Sequence, residues 1–560
     1  MLIGIDVGGT FTDGVLLSGT RVAATVKRPT NNADLQGTIM EVLDCLMTGQ
    51  DSGQVQRVVL STTLVTNMLA TGNLPAVALL LIPGPGLPLD VYQLFPNTLF
   101  LRGSVDFRGR VTEPLAAAEV EAAADQIAAR GIEKVAIVSK FSNRNSQLER
   151  QARDIISRRL PNLEIALGSD IAGQLNFRRR LVTTYYSVMT QSIWENFIRE
   201  IAAALSARGI AAPVDILKAD GGTMSLALSG NRPCETVFSG PAASTMGAVA
   251  LASNPRNSVI IDIGGTTSDI SLLIDGQPLY ASKGAKIQGH YTHIKAFSVC
   301  SLPLGGDSPL AIDNGAVKVE MTRRGDAACF GGPEPTVTDA FNYIYQLQIG
   351  QFDLSRQALA NLADPAGISI EDLCRQAENL VITQLQQAIT GMFREWEEEP
   401  AYRVWEVIHG RKFDFHEIVG IGAASTAIVP ALARAMQVEC TIPDFAPVAN
   451  ALGACVARPT LTVKVHIDTQ NGTWVMDQEG RGGEVKSGAR MQMAEALELA
   501  RRNLRQLALD RHMEDYADEA EVFLQEQFNV IRGWSTSGKI FDIGVQIAPG
   551  LIKEYQGVSK

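Results

Sequence analysis

The sequence predicts an α/β fold built twice over: two lobes facing across a cleft, followed by a small α+β C-terminal segment. Three observations predict it. The octapeptide Asp6-Val7-Gly8-Gly9-Thr10-Phe11-Thr12-Asp13 recurs as Asp262-Ile263-Gly264-Gly265-Thr266-Thr267-Ser268-Asp269. Both copies lie between apolar runs, Leu2-Ile3-Gly4-Ile5 and Gly14-Val15-Leu16-Leu17 around the first, Val259-Ile260-Ile261 and Ile270-Ser271-Leu272-Leu273-Ile274 around the second. The offset of 256 residues (262 minus 6) is too long for a solenoid repeat and fits a duplicated domain.

Each copy reads as strand, glycine-rich turn, strand, which is a β-hairpin opening a meander. Glycines let backbone N–H groups approach an anion, threonines add hydroxyl donors, and aspartates can hold a hydrated Mg²⁺. Two such turns on one chain suggest two jaws closing on one polyphosphate, with the ligand in the cleft between the halves. The pattern is not a Walker loop: no GxxxxGK[ST] occurs, no lysine follows the glycines, and the turn feeds a strand.

Further strand patterns fall at residues 55–60, 76–82 and 134–140, and residues 115–129 form an Ala/Glu-rich helical pattern. Residues 83–88 are a Pro/Gly loop. A long helical pattern covers 177–207 and stops near Gly209; strand 214–217 then leads into Asp220-Gly221-Gly222-Thr223, a third echo of the theme. Ser239-Gly240-Pro241 opens an Ala-rich helix ahead of the second hairpin. Glycine-rich turns and polar helices fill about 305–400, an insertion in the second lobe. Strand 417–419 and Gly420-Ile421-Gly422-Ala423-Ala424-Ser425 open a further apolar helix. The tail reads strand, helix, strand, strand at 462–467, 489–507, 521–532 and 539–546. The expected domains are 1–175, 176–460 and 461–560.

Composition narrows the class. An apolar fraction of 46% with 19% charged residues is that of an ordinary globular protein. A net charge of −11 without a basic run argues against nucleic acid. The greasiest stretch, 77–82, stops at Pro83-Gly84-Pro85-Gly86, so no membrane span is expected. The N-terminus lacks a signal-peptide pattern, and seven cysteines without a CxxC suit a reducing cytoplasm.

Alone, Gly420-Ile421-Gly422-Ala423-Ala424-Ser425 is a weak signal, because GxGxxS can simply mark tight strand–helix packing. Beside two phosphate hairpins it reads as the nucleoside end. Ala243/Gly247 and Ala449/Gly453 are i,i+4 pairs that let two helices cross closely, either as plain packing or as a hinge between lobes. His290 and His293 are spaced HxxH with no third ligand to complete a metal site.

Together these segments resemble the actin/sugar-kinase/heat-shock-70 superfamily, a duplicated actin/ribonuclease-H-like two-lobe ATPase fold. Within it, the chain resembles the hydantoinase/oxoprolinase A family. The resemblance rests on LIGIDVGGTFTD, Ser61-Thr62-Thr63-Leu64-Val65-Thr66-Asn67, Arg180-Leu181-Val182-Thr183-Thr184 and Ala219-Asp220-Gly221-Gly222. It continues through Phe238-Ser239-Gly240-Pro241-Ala242, the second octapeptide, Thr336-Val337-Thr338-Asp339-Ala340 and Asn450-Ala451-Leu452-Gly453, covering about residues 1–457. The chain has Leu304-Gly305-Gly306-Asp307-Ser308 where many members have a Gly-Gly-Gly-Ser loop.

The resemblance implies ATP and Mg²⁺ as cofactors. It implies an ATP-dependent hydrolase, or its ATP-binding subunit, activating a cyclic amide such as a hydantoin or an oxoproline-like lactam by carbonyl-oxygen phosphorylation. An oligomer and a B-type partner subunit are further expectations. The demands are positioning and charge neutralisation. On this reading Gly8, Gly9, Thr10, Thr12, Gly264, Gly265, Thr266 and Thr267 cradle the phosphates. Asp6 and Asp262 are catalytic and hold Mg²⁺ through water, while Asp13 and Asp269 either join them or cap the turns. Gly305 and Gly306 form an additional phosphate loop with Asp307, catalytic or else an ordinary loop carboxylate. Gly420, Gly422 and Ala423 take the nucleoside.

Thr62, Thr63, Asn67, Arg180 and Asp339 stand on the substrate side of that scheme. Plainer roles compete: Thr62 and Thr63 as helix caps, Arg180 as an exposed helix charge, Asp339 as a loop carboxylate. The alternative functions are a small-molecule kinase with Asp307 as base, an ATP-dependent carboxylase subunit, and a non-enzymatic nucleotide-gated switch. An ATP-driven electron-transfer activator is disfavoured, since no paired cysteines could hold a bridging cluster.

Overall fold

The first octapeptide turns between strands Leu2–Val7 and Phe11–Ser18, with Asp6 directly opposite Asp13, and Arg21–Pro29 completes the meander. The structure, a computed structural model, describes residues 1–31, 33–71, 74–252, 256–399, 413–478, 480–485, 488–532, 535–555 and 557–558. Arg57–Thr62 runs parallel to Leu2–Val7, Val214–Leu217 runs parallel to Arg57–Thr62, and Thr223–Ser225 closes the edge antiparallel. The result is one six-stranded sheet.

The second octapeptide repeats the plan. Ser258–Ile263 and Ser268–Ile274 pair with Asp262 opposite Asp269, and Val299–Leu302 adds to the outer strand. Glu417–Ile421 and then Glu439–Thr441 run parallel on the other side, connected by helix Ser425–Met436. Both sheets thus have a three-stranded antiparallel meander extended by parallel strands. The chain has the duplicated actin/ribonuclease-H-like α/β fold.

Two insertions and a tail decorate it. Between Arg57–Thr62 and helix Phe177–Ala207 lies a four-stranded parallel sheet of Glu164–Leu167, Lys134–Ser139, Val77–Ile82 and Thr98–Phe100. Val77–Ile82 is buried at every position, as an unbroken apolar run covered on both faces should be. Strands of the first sheet therefore come from both sides of residue 175, and the expected boundary there does not coincide with a sheet boundary. Parallel pairing across about 150 residues leaves no local signature. Helices Val337–Tyr345, Phe352–Ala363 and Ile370–Glu397 occupy the insertion in the second lobe. In the tail, helix Met493–Asp510 packs against a five-stranded antiparallel sheet, whose strand Leu461–Asp468 buries alternate residues over most of its length.

Helices Ser239–Leu251 and Ala449–Val456 cross at backbone contact. A Cβ on Gly453 would fall 2.3 Å from Ala243 O, and one on Gly247 would fall 2.2 Å from Ala449 O. Only glycine permits this approach. His290 lies edge-on to Phe95, and His293 is bonded through Nε2 to Asn176 O. Among the described residues no helix is long and apolar enough to cross a membrane.

Candidate functional site

The two hairpin turns face each other across a cleft of about 480 Å³. Directly opposed residues of a hairpin share one face, so Asp6 with Asp13 and Asp262 with Asp269 all enter this cleft. Each turn is closed the same way: Gly8 N donates to Phe11 O, and Gly264 N to Thr267 O, both at 3.0 Å.

Crowded carboxylates dominate the electrostatics. Burial pushes the Asp6 carboxyl up to about 7, with the charges of Asp13 and Asp262 adding to the effect. Burial and the Asp262 charge push Asp269 up to about 6. Asp13 is also raised by burial, against the pull of Lys27, whose Nζ donates to both carboxylate oxygens at 2.7 and 2.9 Å. Asp262 is oriented by the crossing helices: its Oδ2 accepts from Ser244 Oγ at 2.5 Å and Asn450 Nδ2 at 3.1 Å.

The Gly305-Gly306-Asp307 loop lies on the second turn. Gly306 N donates to Gly264 O at 2.9 Å and Asp307 N to Gly265 O at 2.8 Å. Gly306 and Asp307 line the cleft, whereas Gly305 is the spacer beneath, where a Cβ would fall 2.4 Å from Gly265 O. Asp307 Oδ2 accepts from Arg323 Nε at 3.0 Å, and burial raises its carboxyl. At the far end Gly422, with φ +85°, brings the backbone so close that a Cβ would meet Asp262 Oδ1 at 2.3 Å. Ala423, Ala424 and Ala427 continue that wall, and Phe330 and Ile349 add further apolar surface to the cleft.

Of the other residues singled out in the sequence, Gly9, Thr10, Gly265, Thr266, Thr267 and Thr63 line the cleft. Several do not reach it. Thr12 is buried against the Thr30 hydroxyl at 3.0 Å. Thr62 accepts from Leu64 N at 3.1 Å, a capping role, and Asn67 donates to Thr63 Oγ1 at 3.3 Å. Gly420 packs on Val429, the strand–helix contact that GxGxxS also permits.

Arg180 is neither an exposed helix charge nor a cleft residue. Only 1% exposed, it donates to Gln174 O at 2.5 Å and Ser139 O at 2.9 Å, beside the buried Glu149. It ties the long helix to the inserted sheet. Asp339 is fully buried and accepts from the backbone N–H groups of Ala328, Cys329 and Thr336 and from Ser355 Oγ. It caps helix Val337–Tyr345 and holds the preceding loop, while its neighbour Thr338 lines the cleft. Helix phase, which the motif does not express, decides between the two.

Sequence reasoning missed Lys27, Ser244, Asn450, Arg323 and Phe330. Lys27 had a signal, as the cross-strand partner of Asp13 in the meander. Ser244 and Asn450 stood within the small-residue helices, which were read as close packing or a hinge and not as ligands of Asp262. Phe330 and Arg323 had none.

The residues fit a hard divalent cation. Asp6 Oδ1 and Asp269 Oδ1 are buried acceptors with no hydrogen-bond partner. Among the described residues no three ligating side chains converge, so such a cation would complete its shell with water and phosphate oxygens, as Mg²⁺ commonly does.

Fold and cleft together define a two-lobed α/β protein with a glycine–threonine hairpin from each lobe facing an acidic gap. The chain belongs to the hydantoinase/oxoprolinase family, whose model matches residues 180–463; the model of the family's N-terminal region matches residues 2–160. It is 25% identical over 438 residues to caprolactamase subunit alpha of Pseudomonas jessenii, covering 70% of this chain and 62% of that one. The structure of the ATP-dependent caprolactamase from Pseudomonas jessenii superposes with a TM-score of 0.72 at 19% identity, over 97% of this chain and 87% of that one. Nucleotide-free acetone carboxylase gives 0.71 at 17%, over 98% and 87%. The chain spans between 52% and 64% of the length of the curated relatives it matches.

Proposed function

We propose that this chain is the ATP-binding part of an ATP-dependent hydrolase that activates a cyclic amide by phosphorylating its carbonyl oxygen, working with a B-type partner subunit. The observation that carries the reading is the pair of hairpin turns facing across one cleft with Asp6 and Asp262 at their feet. The Gly8 and Gly264 N–H groups close the two turns, and the phosphates are met by the backbone N–H groups of Gly265 and Thr266 and the hydroxyls of Thr10, Thr266 and Thr267. Lys27 offsets negative charge on the first side. Ser244 and Asn450 hold Asp262 at a fixed angle. The purine lies against Ala423, Ala427, Ile349 and Phe330. Asp6 and Asp262 would hold Mg²⁺, which when bound supplies charge neutralisation along the phosphates.

In the proposed reaction the amide oxygen attacks the γ-phosphorus, and the bond to ADP breaks with its electron pair. Water adds at the ring carbon, the amine leaves with a proton, and a second water hydrolyses the acyl phosphate at carbon. A lactam labelled with ¹⁸O at the carbonyl would therefore deliver its label to inorganic phosphate. Turnover that leaves the phosphate unlabelled rejects the mechanism. The likeness to acetone carboxylase favours one alternative, an ATP-dependent carboxylase subunit; ADP release that requires bicarbonate would select it.

A further inference from the structure

Strand Glu521–Arg532 is the last strand of the five-stranded C-terminal sheet, and among the described residues it pairs only with Ser535–Ile547. A bare strand edge offers a row of backbone N–H and C=O groups to another chain, and proteins blunt such edges with lysine, proline, bulges or brevity. The edge strand Arg21–Pro29 of the first sheet is blunted in this way, since it carries Arg21, Lys27 and Arg28 and ends in proline. Glu521–Arg532 runs for 12 residues without a lysine or a proline. Residues 525–529 in its middle are all exposed, Phe528 at 53%, and Ile531 beyond them is exposed at 68%.

The sequence of this edge matches itself. Its pairing with Ser535–Ile547 slips at Phe523 and again after Val530, so residues 524–530 form the regular stretch, with Gln527 in the middle. Leu524, Glu526, Phe528 and Val530 alternate onto one face, and Gln525, Gln527 and Asn529 onto the other. Two copies related by a two-fold axis continue one sheet only if facing residues point the same way, so the axis must pass through a residue. That residue meets its own copy. An amide has donors and an acceptor and can pair with itself, whereas a carboxylate repels itself. Centred on Glu526, the register opposes two like charges. Centred on Phe528, it sets Glu526 against Val530 and Gln525 against Ile531. Centred on Gln527, it sets Leu524 against Val530, Gln525 against Asn529 and Gln527 against Gln527, while the Glu526 carboxylate beside Phe528 stays in water.

We infer that Glu521–Arg532 is a self-association edge: two copies of this chain join antiparallel through residues 524–530, with Gln527 on the two-fold axis. The joint gives the outward N–H and C=O groups of the strand partners and runs one sheet through both C-terminal segments. None of its residues lines the cleft, so it does not rest on the nucleotide reading. A contact of one strand edge falls at the small end of specific interfaces, and the dimer is accordingly concentration-dependent.

The test is sedimentation equilibrium of the full chain between about 1 and about 100 µM, the range in which a small interface forms. The mass is expected to rise toward twice that of one chain. Gln527→Lys and Gln527→Glu each set like charges face to face and should weaken association about fivefold or more. An equimolar mixture of the two variants should recover the wild-type dimer, because opposite charges then meet across the axis. Hydrogen exchange of the unsubstituted chain reads the same contact without relying on either variant to fold: outward-facing amides within 524–530 should exchange more slowly at the upper concentration than at the lower. A wild type that stays monomeric overturns the inference and leaves the edge to a different protein. So does a dimer indifferent to both folded variants, a mixture no tighter than either variant alone, or exchange over 524–530 that ignores concentration.

Discussion

Replacing Asp6 with asparagine removes one charge from a buried acidic cleft while keeping the side chain's shape. With nucleotide and Mg²⁺ removed by EDTA and dialysis, the Asp6 carboxyl stands at about 7 against an ordinary 3.8, chiefly through burial and then through the charges of Asp13 and Asp262. A carboxyl raised by folding contributes its full stability below the unfolded pKa and loses it as pH rises through the folded value. The window runs from about pH 4 to about pH 7, and a rise of roughly three units amounts to about 4 kcal/mol above it. Asparagine carries no such penalty. Asp6→Asn is therefore expected to melt above the wild type at pH 8 without ligands, with the gap closing as pH falls toward 4. The chain has several folding units, so the readout is the calorimetric transition containing the first lobe. Adding ATP·Mg²⁺ should raise the wild-type transition and leave the variant's where it was, since only binding to the folded state stabilises. A variant that melts below the wild type at pH 8 without ligands would refute the electrostatic reasoning. One that still responds to ATP·Mg²⁺ would refute the role given to Asp6.

The other expectations follow from single contacts. Asp262→Ala should abolish nucleotide-dependent turnover while leaving the circular dichroism spectrum of a folded chain. Gly453→Ala forces a Cβ to within 2.3 Å of Ala243 O and should cost about 1–3 kcal/mol in thermal stability, read by scanning calorimetry. Gly422→Ala places a Cβ 2.3 Å from Asp262 Oδ1 at φ +85°, and a fluorescent-nucleotide titration should show affinity reduced about tenfold or more. Asp339→Asn should destabilise by about 3 kcal/mol, because a buried carboxylate accepting three backbone N–H groups is lost, yet folded enzyme should keep its KM. A raised KM with unchanged stability would return Asp339 to the substrate side.

Much of the fold was legible because its signals are local. The helical pattern over 177–207 and the strand at 214–217 match the observed Phe177–Ala207 and Val214–Leu217. Apolar periodicity and the stop at Gly209 act over a few residues, so no distant partner is needed to read them. The tail was read less completely: its sheet includes Thr473–Met476 and Gly482–Glu484, short strands whose pairing depends on Leu461–Asp468 beside them. At the site, the loop residues Gly306, Asp307, Gly422 and Ala423 were named from motifs and line the cleft. Gly305 and Gly420 belong to the same motifs and do not, because one packs beneath a turn and the other against a helix.

By itself the sequence determined the two hairpins, the duplication they mark and the acidic, threonine-rich chemistry of their turns, since turn geometry is set by the residues within the turn. Tertiary structure alone decided that the hairpins face one cleft and that Lys27 neutralises Asp13 there. It also decided that Ser244 and Asn450 hold Asp262, and that Arg180 and Asp339 are buried supports. Those outcomes depend on strand pairing and helix phase between segments far apart in the chain, 256 residues for the two hairpins and 188 for Asn450 and Asp262. Such contacts are fixed by the packing of whole elements, and no short window of sequence contains them.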